Sequence, residues 1–224
     1  MTSISKTTLD FLKDLKANNN RDWFTENKPT FEKEQKSIKK FYDSLHEKIK
    51  EHDEIESLKI FRIYRDVRFS KDKTPYKSHF DGGFVRATNR LRGGYYLQIK
   101  PGESFLGGGF WDPNKEDLLR IRKEFEMDAS EIRTIINDKT FKEHFGKIQG
   151  DSLKTAPRGF DKTQPNLDLI NLKQFIVARK FTDEEVLSPN FIEELNSSFK
   201  AMRPFLDYMS DVLTTDLNGV SIID

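Results

Sequence analysis

The chain has 224 residues, enough for one large domain or two small ones with a proper core. Its 38 basic and 37 acidic residues leave a net charge of +1, whereas a dedicated duplex-DNA binder is usually far more basic, and general adhesion to anionic membranes is equally unsupported. Cysteine is absent, which excludes disulfides, thiolate nucleophiles and cysteine-based zinc sites.

The first residues carry no apolar signal core, because Lys6, Asp10, Lys13, Asp14 and Lys16 interrupt it. No window approaches the ~18 apolar residues of a spanning helix. The expectation is a soluble, cytoplasmic protein. Thr7 is placed to cap a helix bearing Leu9, Phe11, Leu12 and Leu15, ended by Asn18-Asn19-Asn20. Asp22 is placed to cap a short turn with Trp23 and Phe24. From about Phe31 to Lys50, apolar residues at three- and four-residue spacing (Ile38, Phe41, Tyr42, Leu45, Ile49) predict a longer helix. Residues 60–69 alternate, with Phe61, Ile63, Val67 and Phe69 on one parity, and predict a strand. Strands follow at roughly 78–86, 93–100 and 104–111. Their turn-like connections favour a four-stranded antiparallel meander. Asp112-Pro113 signals a helix start, Asp128 with Glu131 a second, and Asp138 a third that Gly146 ends. Residues 150–180 read as loop with a helical piece near 166–173. Thr182 with Glu185 forms another capping pair, and Ser188-Pro189 opens the last helix, which contains Pro204. No repeat or linker divides the chain. The expected fold is a single α+β domain over residues 1–224, its central antiparallel sheet of about four strands lying within residues 60–111 between N-terminal and C-terminal helices.

The charge is concentrated in Phe61–Lys77, where Arg62, Arg65, Arg68, Lys71, Lys73 and Lys77 face only Asp66 and Asp72. Such a basic strand and loop suits an anion. Arg65 sits on the apolar parity, either as a structural ion pair or as a guanidinium at a pocket floor. Arg62 and Arg68 flank Asp66, forming a salt-bridge ladder or a positive surface. The Lys71–Lys77 loop is either solvated or a lid. It lacks the glycines of a Walker loop. Gly107-Gly108-Gly109 marks close approach of another backbone or of a ligand, with Trp111 or Trp23 as a wall and Gly82-Gly83 alongside. Lys154 and Arg158 lie in a basic loop that is either plain surface or reaches the same anion. The four histidines have no metal-like spacing, and neither a nucleophile elbow nor a dinucleotide fingerprint is present, so no metal or cofactor is assigned. Should the chain catalyse a reaction, Asp66 or Tyr76 is the acid/base candidate.

Several of these stretches together resemble a known family. They are Phe11-Leu12, Asn19 to Phe24, Phe61 to Lys77, Gly94-Tyr95-Tyr96, Phe105 to Gly109, Leu153-Lys154, Pro157 to Phe160 and Leu187-Ser188-Pro189. They are similar to a bacterial and fungal family of conserved hypothetical proteins, domain of unknown function 2461, over about residues 7–213. The resemblance implies a single-domain protein of this size and transfers no activity, cofactor or catalytic residue. The residues themselves point first to a small phosphate- or carboxylate-bearing ligand in an Arg/Lys-lined pocket over the sheet. Single-stranded nucleic acid, stacked on Tyr64, Tyr95, Tyr96 or Trp111, is the second reading, and an acidic protein partner docked on the basic loop is the third.

Overall fold

The computed structural model describes residues 3–223. Helix α1 (Lys6–Ala17) starts two residues earlier than a Thr7 cap implies. Ser5 caps it, its hydroxyl accepting from the Thr8 amide at 3.2 Å. The hydroxyls of Thr7 and Thr8 donate instead to Glu34, a buried carboxylate, at 3.1 and 2.6 Å. Helix α2 (Arg21–Glu26) is capped by Asn20 rather than Asp22, and α3 (Lys28–Lys50) carries the predicted buried stripe.

The sheet is antiparallel, with strands in sequential order β1-β2-β3-β4-β5. These are β1 (Ile55–Ile60), β2 (Phe80–Arg86), β3 (Gly94–Ile99), β4 (Ser104–Phe110) and β5 (Phe175–Phe181). Two departures from the sequence reading stand out. The first strand ends where the predicted one began, and residues 61–79 are irregular apart from one antiparallel bridge, Tyr64 to Tyr76. The fifth strand falls inside the stretch read as loop. Its run Phe175-Ile176-Val177 is wholly buried, and such short apolar runs carry no period of their own.

The remaining helices are α4 (Lys115–Met127), α5 (Ser130–Asn137), α6 (Lys139–Phe145), α7 (Leu167–Ile170), α8 (Asp183–Leu187) and α9 (Phe191–Thr214). Asn114, not Asp112, caps α4. Asp138 and Gly146 bound α6 as predicted, and Thr182 with Glu185 forms a complete capping box on α8. Pro204 lies within α9. The result is an α+β fold in which helices flank one sheet.

Contacts along the backbone group the chain into two compact units. The first comprises the chain up to Val85 with Tyr96–Leu106 and Lys180–Ser197. Its core lies between α3 and the sheet. The Tyr42 hydroxyl donates to the Leu97 carbonyl at 2.8 Å, and Phe41 stacks on Phe191 at 6.0 Å. Gly82 makes room for the Tyr42 ring, whose edge lies 2.7 Å from where a Cβ would stand. The second unit comprises Arg86–Tyr95, Gly107–Arg179 and the chain from Ser198 on. Its core holds Phe125 against Phe175 at 5.9 Å and a wholly buried guanidinium, Arg86.

Candidate functional site

Nineteen residues, 61–79, connect the adjacent strands β1 and β2. Antiparallel neighbours need only about two to five, and structureless connections beyond about 12–15 are usually functional or disordered. This one is ordered by its own side chains. Asp66 accepts from the Arg68 amide, Asp72 accepts from the Thr74 amide at 2.9 Å, and the Lys73 ammonium donates to the Val67 carbonyl at 2.9 Å. These bonds replace a strand ladder, which is why the alternating pattern of 60–69 does not become a strand. Ile63 is buried as its parity requires, but Phe69 is 97% exposed at the tip.

The loop is also tied to α1 and α2. Asn19, just past the end of α1, clamps the Tyr76 backbone from both sides, donating to its carbonyl at 2.8 Å and accepting from its amide at 3.1 Å. The Tyr76 ring stacks on Phe24 at 3.9 Å. Two sequence motifs, Asn19–Phe24 and Arg65–Lys77, thus meet at one place.

Beside this junction lies a cavity of about 350 Å³, lined by Lys16, Asn19, Arg65, Asp72, Thr74, Tyr76, Lys77, Ser78, His79 and Lys100. A smaller hollow of about 210 Å³ shares Lys16, Ser78 and Lys100 with it and adds Lys13, Gly102 and Asp183. Five of the ten residues lining the larger cavity are Lys, Arg or His, and only Asp72 is acidic. Arg65 points in, a quarter exposed, donating to Asp72, to the Thr74 hydroxyl and to the Thr74 carbonyl at 3.2 Å. Bonds from the Thr74 amide and hydroxyl, then from Arg65, hold the Asp72 carboxyl down to about 2. Lys77 donates to both oxygens of Asp81 at 3.0 Å, and the Tyr96 hydroxyl donates to the same carboxylate at 3.2 Å. His79 Nε2 is 3.8 Å from it, an ion-pair distance rather than a hydrogen bond. Burial pushes the Asp81 carboxyl up, but its interactions with His79 and Lys77 more than offset this and leave it below its ordinary value. Asp81 is therefore a buried anion that positions Lys77 and His79 at the cavity. Lys100 pairs with Glu103 at 2.7 Å, and Lys16 makes no salt bridge among the described residues.

The other anticipated residues lie elsewhere. Arg68 holds Asp66 bidentately at 3.0 and 2.6 Å on the exposed side of the loop. That pairing, ahead of the more distant Arg62, lowers the Asp66 carboxyl and makes it a poor base. Burial and the neighbouring Tyr64 raise the Tyr76 phenol, which stays a proton donor. Lys71 and Lys73 are exposed, Lys73 serving the loop backbone, and Arg62 turns towards α3. Gly107, Gly108, Gly109, Trp111, Lys154 and Arg158 belong to the second unit. There the bare backbone of Gly108 and Gly109 faces protein. A Cβ at Gly108 would overlap Met202 and the Gly94 carbonyl, and one at Gly109, whose φ is +115°, would overlap the Phe175 carbonyl. Trp111, Lys154 and Arg158 are exposed. Three basic residues of the cavity, Lys16, His79 and Lys100, escaped the sequence reading as site residues, since none of them belongs to the basic run. Among the described residues, no helix is long and apolar enough to cross a membrane, and no group of three or more His, Asp or Glu is placed to hold a metal ion.

A family model described as Conserved hypothetical protein (DUF2461) matches residues 7–208. The chain belongs to this family. No curated protein and no solved structure matches it. Within this DUF2461 chain the matched span contains the whole 61–79 loop and every residue lining the cavity.

Proposed function

We propose that the chain binds a small phosphate- or carboxylate-bearing anion in the cavity beside the 61–79 loop. The observation that carries this reading is convergence. Lys16 from the end of α1, Arg65, Lys77 and His79 from the loop, and Lys100 from the turn after β3 line one hollow, although they are far apart in the chain. Local patterning produces solvated charge stripes on one element. Cations arriving from separate elements repel one another, and an oxyanion relieves that repulsion. Arg65 supplies a planar fork, Lys77 and Lys100 supply point charges, and the phenol of Tyr76 supplies a neutral donor. The volume lies within the usual range for small-ligand sites, about 300–1,000 Å³.

The test is thermal unfolding with inorganic phosphate, pyrophosphate, succinate and a short oligonucleotide, for the wild type and for a Lys16→Gln/Lys100→Gln double variant. A ligand at a hundred times its Kd adds about 2.7 kcal/mol, roughly 5–10 °C for this size. The expected result is such a shift with a small anion, greatly reduced in the double variant. No shift with any small anion, or a shift that the double variant keeps, overturns the reading. A second reading, single-stranded nucleic acid, has one observation behind it. Tyr64, about half exposed, and Phe69, almost fully exposed, stand among the basic residues as stacking surfaces. It predicts a shift with the oligonucleotide alone, fading as salt rises. Tyr95, counted earlier among its stacking groups, is buried in the core.

A further inference from the structure

A third hollow of the first unit, about 600 Å³, runs between α3 and the edge strand β1. Its two walls differ in chemistry. Gln35, Lys39, Asp43 and His46 recur at helical spacing along one side of α3. Opposite them, Leu58 and Ile60 share the inward parity of β1, and Phe61 and Arg62 follow at the strand's end. It shares no lining residue with the cavity described above.

The polar groups of this groove are unspent. Lys39 and Asp43 are spaced i,i+4 yet form no ion pair, and neither the Lys39 nor the Arg62 side chain makes a salt bridge or hydrogen bond among the described residues. Arg62 acts on Asp66 only at a distance. His46 lines the groove, but its Nε2 is sealed from solvent and is not offered to the groove. The volume is far more than a bare oxyanion fills, and the strand wall is apolar. Two cations against one carboxylate leave the lining at +1, which matches a single negative charge.

We propose that this groove binds an apolar-bodied carboxylate, its carboxylate held between Arg62 and Lys39 and its body laid on Leu58, Ile60 and Phe61. The guanidinium takes the two oxygens as a fork, and the ammonium adds a point charge. Burying the body against the strand wall supplies the favourable apolar term, so neither half suffices alone. The bare-anion cavity beside the 61–79 loop and this groove are separate sites for separate ligands.

The experiment is amide chemical-shift mapping of the full chain titrated with three probes: 2-naphthoate, the neutral isostere 2-naphthamide and inorganic phosphate. Each is repeated on an Arg62→Gln/Lys39→Gln double variant, in which both changed side chains are exposed and the fold is expected to survive. The proposal expects naphthoate to shift amides of Lys39–His46 and Leu58–Arg62, with naphthamide weaker by about tenfold or more. In the double variant, naphthoate falls to the level of naphthamide, whose own binding is unchanged. Equal binding of the amide, naphthoate shifts that avoid these segments, or naphthoate binding unaffected by the double substitution each overturn it. So does phosphate shifting these amides as strongly as naphthoate, since the apolar wall is then unused. Failure of phosphate at the first cavity leaves this result intact.

Discussion

Three cation–carboxylate pairs, two in the first unit and one in the second, differ mainly in how much water they keep. Arg86 is wholly buried and bonded to Asp207, to the Ser210 hydroxyl at 3.2 Å and to the Arg92 carbonyl at 3.4 Å. Lys77 and Asp81 are a quarter and a twelfth exposed. Arg65 is a quarter exposed, but its partner Asp72 is open to solvent. A pair's structural weight rises with its burial, while its freedom to exchange one partner for a ligand falls. Arg86 is thus a strut of the second unit, and Arg65 is a group that can turn to an incoming anion. The largest effect expected is at the strut. Asp207→Ala takes the carboxylate from a guanidinium that has no access to water, and Arg203 loses a 3.1 Å bond to the same side chain. The expected loss is about 3–5 kcal/mol, read from urea unfolding. A loss below about 1 kcal/mol breaks the ranking, because Arg86 would then be satisfied without its carboxylate.

Lys77–Asp81 falls between the extremes. Asp81→Asn keeps the shape but removes the charge that holds Lys77 and His79, and the ammonium can partly hydrate. The expected loss near neutral pH is about 1–3 kcal/mol. The sign of the pH dependence follows from the lowered Asp81 carboxyl. A depressed carboxylate contributes stability above its unfolded value, about 3.9, and loses it as pH falls through its folded value. The wild type therefore loses stability on acidification below about pH 4, and in Asp81→Asn that acid limb is shallower. Urea midpoints at several pH values between about 2 and 6 measure it. Parallel limbs in the two proteins contradict the assignment.

The same contrast explains what the sequence disclosed. Helices whose apolar stripe repeats over several turns were legible, as α3 was, because the period is its own evidence. So were caps bounded by two residues of fixed chemistry, such as Asp138 with Gly146. Strand parity put Arg65 on the apolar side, as an ion pair or at a pocket floor; it is a quarter exposed, and a wholly buried guanidinium lies instead at Arg86. Parity has meaning only where a ladder exists, and in residues 61–79 side chains took the ladder's place. The basic run was legible as a feature and illegible as a site. Its arginines point different ways: Arg62 to α3, Arg65 to the cavity and Arg68 to Asp66. The partners that complete the cavity, Lys16 and Lys100, arrive through tertiary folding alone.

Arg65→Ala is expected to have the smallest effect on stability and the most informative effect on titration. The lost pair is largely solvated, so the thermal midpoint should fall by at most about 3 °C. Asp72, however, is held down first by the Thr74 amide, then by the Thr74 hydroxyl, and only third by Arg65. In the variant its carboxyl should rise from about 2 yet remain below the ordinary carboxylate value, as followed by carboxyl-carbon NMR. A return to the ordinary value would mean that the Thr74 bonds depend on Arg65 and that the loop is ordered by its guanidinium. Arg65 would then belong with Arg86 as a strut, and any loss of anion binding in the variant would report a collapsed loop rather than a missing ligand contact. A small rise in a stable protein leaves Arg65 as a side chain whose present partner does not need it, which is the property an anion-binding group requires.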